Sequence, residues 1–112
     1  MSQLINLPIR FHKKGMVTFT REEIRQLMSV YGEHVSNGTW RDYALDCLPD
    51  MAVFSIFLHS HERPAYSVAK VVSKNTKKTV NFTVYDSTRM LKQSQSLLDV
   101  LQVFKQNPKK KK

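Results

Sequence analysis

The run Met51-Ala-Val-Phe-Ser-Ile-Phe-Leu58 is apolar on both of its alternating sets, Val53 and Phe57 on one and Phe54, Ile56 and Leu58 on the other. A strand with one face in water alternates, so this run predicts a central strand covered on both sides. It is far short of the roughly 20 apolar residues needed to span a membrane. The chain has 112 residues, enough for one domain of the usual size, roughly 100–150 residues. The expectation is a single domain over 1–108, with 1–18 loosely ordered and 109–112 a disordered basic tail. What covers the central strand is the question the other segments must answer: the simplest answers are two helices, one on each face, or a partner.

The strongest local signal is Thr20 followed three residues later by Glu23, a capping box in which each side chain bonds the other residue's free backbone N–H. Phe19 before the cap and Ile24 after it have the spacing of a hydrophobic staple. Ile24, Leu27, Met28, Tyr31 and Val35 then recur at helical spacing, and Asn37-Gly38 supplies a helix stop, so a helix is predicted over about 21–36. Gly32 inside it costs about 1 kcal/mol against Ala, which suggests a close packing partner or a loose last turn. Upstream, Ile9 and Phe11, Gly15, and Met16 to Phe19 read as a weak hairpin.

Beyond Gly38 the period shortens. Trp40 to Cys47 alternates, with Tyr43, Leu45 and Cys47 on one side and Asp42, Ala44 and Asp46 on the other, and Leu48-Pro49-Asp50 turns the chain. Further strands are expected at Ala65–Val72, Val80–Tyr85 and Arg89–Gln93, the last in competition with a helix start at Asp86-Ser87-Thr88. Leu97, Leu98, Leu101 and Phe104 define a final helix over about 95–106, stopped by Asn107-Pro108. The class is α+β, with a four- to five-stranded antiparallel meander sheet and a helix on either side of it in the chain.

Several segments resemble an uncharacterised family of small alphaproteobacterial proteins, a domain of unknown function. The resemblance rests on Trp40-Arg41-Asp42-Tyr43-Ala44 and Ala52-Val53-Phe54-Ser55-Ile56-Phe57, with Phe19-Thr20-Arg21, Glu62-Arg63-Pro64-x-Tyr66 and Val100-Leu101-x-Val103 around them. It covers about residues 19–104 and implies that Arg89-x-Leu91-Lys92 is a strand. It implies no activity, cofactor or catalytic residue. The chain departs from the family pattern at His59, His61 and Ser94.

Function must therefore be read from charge and side-chain chemistry. The net charge is +9, distributed as +3 over residues 1–20, −3 over 21–69 and +9 over 70–112, with Lys109 to Lys112 supplying part of the last. Such a basic half attracts polyanions. Candidate nucleic-acid contacts are Arg63, Lys70, Lys74, Lys77, Lys78, Arg89 and Lys92, with Tyr66, Phe82 and Tyr85 as a loose stacking platform. The rival is a protein-interaction or oligomerisation module built on Trp40, Arg41, Asp42, Tyr43 and Tyr66 or on the outer sheet face, because aromatic and Arg side chains are favoured at binding hot spots and two modest helices need not fully cover a second strand apolar on both faces. Against it, Trp40 can pack under the first helix while Arg41 pairs with Glu62 or Asp42.

Catalytic and metal chemistry find less support. His59 and His61, with Cys47, Glu62, His12 or His34, lack the dense ligand spacing of a structural zinc site. Asp42 and Asp46 lie about 13 Å apart on one strand face, too far for a shared proton. Cys47 falls on an apolar set and reads as a buried thiol, and the isolated glycines form no phosphate loop. No enzyme, metal or cofactor is expected. A single cysteine and a start without the layout of a signal peptide point to the cytoplasm.

Overall fold

A computed structural model describes residues 15–59, 63–73 and 79–105. The order is helix α1 (Arg21–Ser36), strands β1 (Asp42–Cys47), β2 (Met51–Phe57), β3 (Tyr66–Val72), β4 (Val80–Asp86) and β5 (Met90–Ser94), then a short helix α2 (Leu97–Leu101) that tightens into a 3-10 turn, Gln102–Phe104. The capping box closes as expected. Glu23 N–H donates to Thr20 Oγ1 (3.1 Å) and Thr20 N–H donates to Glu23 Oε1 (2.8 Å). Phe19 is buried and Ile24 packs against the same core. The predicted hairpin fares differently: Met16 to Phe19 form no strand, and residues 9–14 lie outside the described residues. Gly32 has neither a close partner nor a frayed turn, since a Cβ there would meet nothing within 4 Å and the helix continues to Ser36.

The sheet is a plain meander, β1-β2-β3-β4-β5, antiparallel throughout. Its register sorts the side chains onto two faces. Tyr43, Leu45 and Cys47, then Ala52, Phe54 and Ile56, Tyr66, Val68 and Lys70, and Phe82 and Val84 share one face. Leu27 and Val30 of α1 and Leu97, Val100, Leu101 and Phe104 of the C-terminal segment close over it, and the buried core lies between. Both helices thus sit on the same face, contrary to the expectation of one on each. Two contacts force this: Tyr31 meets Phe54 edge-on, with ring centroids 6.2 Å apart, and α1 packs against α2.

The final helix is shorter than predicted. Ser96 takes the N-cap, its Oγ accepting the Asp99 N–H at 3.3 Å, and the backbone tightens after Leu101, Lys105 N–H donating to Gln102 O at 2.9 Å. Strand β5 carries a bulge. Tyr85 pairs with Met90 but Val84 pairs with Lys92, so Leu91 is the extra residue.

Candidate binding surfaces

The register decides which predicted site residues can act together. Lys70 sits opposite Phe82 and so faces the helices. Its Nζ donates to Glu23 Oε1 at 2.8 Å and to Thr18 O at 2.9 Å, and the residue is 8% exposed. Lys70 is therefore withdrawn from the nucleic-acid set, because a long cationic side chain on an inward position of a central strand had its counter-charge waiting on α1. The capping glutamate does double duty here, bonding both the helix start and the sheet.

The other cations are dispersed. Lys92 pairs with Asp99 at 3.2 Å. Arg63 and Arg89 are exposed at one end of the sheet, in the β2–β3 and β4–β5 connections. Lys74, Lys77 and Lys78 lie outside the described residues; the flanking Ser73 and Thr79, bonded N–H to O at 2.9 Å, stand at the opposite sheet end. No single basic face links residues 63 to 92 among the described residues. The stacking platform also separates: Tyr66 and Phe82 share the helix-covered face, whereas Tyr85, opposite Ser67, points to the other.

The Trp40 to Tyr43 corner turns inward. Trp40 is buried, stacked on His34 (4.1 Å between centroids, 15° between planes) and edge-on to Phe104 at 5.0 Å. Tyr66 meets Phe104 at 5.1 Å and Tyr43 stacks on Phe54 at 5.2 Å. His34 Nε2 lies 3.1 Å from Phe104 O, and as a carbonyl only accepts, that nitrogen donates. These aromatics form the seam between α1 and the C-terminal turn. Only Arg41 and Asp42 of the proposed corner are exposed; Arg41 forms no salt bridge among the described residues, and Asp42 Oδ1 accepts the Tyr43 N–H at 2.9 Å. The Tyr31 and Tyr43 hydroxyls are pushed above their usual range, first by burial and then by the Asp42 charge.

No group of His, Cys, Asp and Glu suited to a metal exists among the described residues. His59 is exposed and lines, with Leu58, Arg63, Pro64, Ala65 and Ser87, a shallow depression at the sheet end. His61, Glu62 and His12 lie outside the described residues. Cys47 is half-buried rather than buried, and its thiol is pushed up by burial and by Asp46. Asp42 and Asp46 are exposed on the outer side of β1, as expected of a solvated edge.

The other surface that the sequence offered to a partner, beside the Trp40 to Tyr43 corner, is the outer face of the sheet, away from the helices. On β2, β3 and β4 it consists of Met51, Val53, Ser55 and Phe57, of Ser67, Ala69 and Val71, and of Asn81, Thr83 and Tyr85. It carries no carboxylate, ammonium, guanidinium or imidazole, in a chain of which 24% is charged. The middle is made of small side chains, Ser55, Ala69 and Thr83, with Phe57 and Tyr85 toward one end and Met51 and Val71 toward the other. No described helix lies over it, yet Ser55, Ala69 and Thr83 at its centre are buried, so what it exposes lies toward its ends, at Tyr85 above all. The signal was present in the sequence: Val53, Phe57, Ala69 and Val71 occupy the second alternating set of their strands.

A family model described as "Protein of unknown function (DUF2794)" matches residues 17–101. No curated protein and no solved structure matches the chain. No helix among the described residues is long and apolar enough to cross a membrane.

Proposed function

We propose, for a chain that belongs to this family of unknown function, DUF2794, that it is a non-catalytic binding module whose working surface is the outer face of the sheet, offered to a protein. One observation carries the reading: three central strands present an outer face without any formal charge while both helices crowd the opposite side. Uncharged, partly apolar faces of this breadth mark protein contacts more than phosphate contacts, which need clustered Lys and Arg. Nucleic acid, the first expectation from the +9 charge, keeps that charge as its motive but loses Lys70 and the Tyr66–Phe82–Tyr85 platform.

The test is photo-crosslinking in cells from the full chain, with benzophenone-alanine placed at Phe57, at Tyr85 or, as a control, at Arg25 on α1. Protein adducts from the two sheet positions and none from Arg25 support the reading. Adducts from Arg25 alone, or nucleic acid in place of protein, would sink it. In parallel, fluorescence anisotropy with duplex DNA and single-stranded RNA over a salt series measures the rival. A salt slope of several charges that shrinks on neutralising Arg63 and Arg89 would favour nucleic acid.

A further inference from the structure

We infer that the chain's own residues 5–11 lie across the outer sheet face as an extended cover, which a partner must displace; the displacement rests on the functional reading above, the cover does not. The centre of the face is already shielded: Thr83 is 2%, Ala69 3% and Ser55 8% exposed, although no described helix or strand lies over them. Around them Val53, Val71 and Asn81 are half-buried, and Tyr85 at one end is exposed. Burial that is deepest in the middle and relaxes outward suits a narrow cover, one segment wide.

The sequence supplies such a segment outside the described residues. Ile5, Leu7, Ile9 and Phe11 alternate strictly with Asn6, Pro8, Arg10 and His12, the pattern of an extended run with one apolar side and one wet side. The inner face of the sheet is already filled by α1 and the C-terminal segment, so the outer face is the one left to receive those four apolar side chains. Pro8 has no N–H and stands on the wet side, which unfits the run for a central ladder strand but not for lying on a sheet.

Entry point, reach and charge agree. Val17 packs against the core on the helix side, and its N–H donates to Leu48 O at 2.8 Å, at the β1–β2 turn. Two residues earlier Gly15 takes a φ of +83°, a turn that glycine makes freely, so the chain can round this end of the sheet to the outer face. From Met51 to Tyr85 that face measures about 10 Å across the strands and about 13 Å along them, a diagonal of about 16 Å, and seven extended residues reach about 23 Å. Arg10, Lys13 and Lys14 give residues 1–14 a charge of +3, with no carboxylate among them. At the corner where they arrive, Asp46 and Asp50 stand exposed, without an ion pair among the described residues.

Benzophenone-alanine at Tyr85, a site 38% exposed, tests the cover in the purified full chain. Irradiation is expected to join it to residues 5–11 of the same molecule, at a yield independent of protein concentration, with no such product from the probe at Arg25. Ile9→Asp puts a carboxylate on the apolar side and lowers that yield at least about fivefold, whereas Asn6→Asp on the wet side leaves it unchanged. Thermal melts monitor folding, and if Ile9→Asp does not fold, Leu7→Asp decides. No adduct, an equal one from Arg25, one that grows with protein concentration and so joins two copies, or one indifferent to Ile9→Asp overturns the cover. In cells, Ile9→Asp frees the face and raises protein adducts from Tyr85 at least about threefold; an unchanged yield overturns the displacement. The internal adduct without any protein adduct leaves the cover standing and removes the functional reading, and protein adducts without the internal one do the reverse.

Discussion

Lys70→Met tests the junction between α1 and the sheet. The wild-type ammonium has two partners, Glu23 Oε1 at 2.8 Å and Thr18 O at 2.9 Å, and the two side chains retain only 10% and 19% of their exposure. Methionine keeps the length and packs against Phe82, but strands the Glu23 carboxylate beside an apolar strand. Breaking one half of a buried pair costs about 3–5 kcal/mol; because Glu23 still accepts the Thr20 N–H, the lower end, about 3 kcal/mol, is expected here. Glu23→Gln keeps a capping box and an oxygen for Lys70, and its cost is about 1–2 kcal/mol. The double variant buries no unpaired charge, so it loses less than the two singles together, with a coupling of about 1–2 kcal/mol. Urea unfolding followed by the fluorescence of Trp40, the single tryptophan, gives all four stabilities at constant m-value. Additivity within about 0.5 kcal/mol, or a neutral Lys70→Met, would refute the clamp.

Gly32→Ala should stabilise by about 1 kcal/mol in the same urea assay, because its Cβ enters open space on a helix interior; a loss would mean that the site is crowded. Tyr31 and Tyr43 bind their protons more tightly when folded, so their contribution is whole below the ordinary tyrosine range and drains away as pH climbs past about 10. Ultraviolet titration should show these phenols ionising late, with unfolding as they do, and an ordinary titration in the native state contradicts their burial. The Asp86 carboxyl is held below the usual range, first by the Thr88 backbone N–H, then by that of Arg89. Its stabilisation of the β4–β5 turn is present above the ordinary carboxylate range and lost as pH falls through the depressed value. Asp86→Asn should flatten the acid limb of the stability curve, and an unchanged limb contradicts the assignment.

The local signals of this chain were legible because they are short-range. Thr20 and Glu23 fix their helix start within one turn, and alternation alone separates Tyr43 and Leu45 from Asp42 and Asp46. The α+β class and the five-strand meander followed from such signals and from the resemblance at Arg89 to Lys92. What stayed hidden depends on where one element sits over another. Alternation shows that Phe54 and Val53 point to opposite faces, but not that α1 and α2 would both choose the side of Phe54. Lys70 looked solvent-facing because lysines usually are; only the position of Glu23 above β3 makes an inward ammonium tolerable. Tyr66, Phe82 and Tyr85 do not form one platform, and part of that was legible: Phe82 and Tyr85 lie three apart on one strand, so alternation sends them to opposite faces, whereas only the β3–β4 register puts Tyr66 on the side of Phe82.

The meander also shapes how the molecule assembles itself. Every strand pairs with its neighbour in the chain, so the sheet can zip hairpin by hairpin across short loops, each closure cheap in chain entropy. The seam of His34, Trp40 and Phe104 is different: His34 and Phe104 stand 70 residues apart along the chain. That clasp waits for the whole sheet to be laid down between its halves. Trp40, stacked on one partner and edge-on to the other, is therefore a built-in optical reporter of the final closure, and its fluorescence in a refolding experiment should lag the amide protection of β2 and β3.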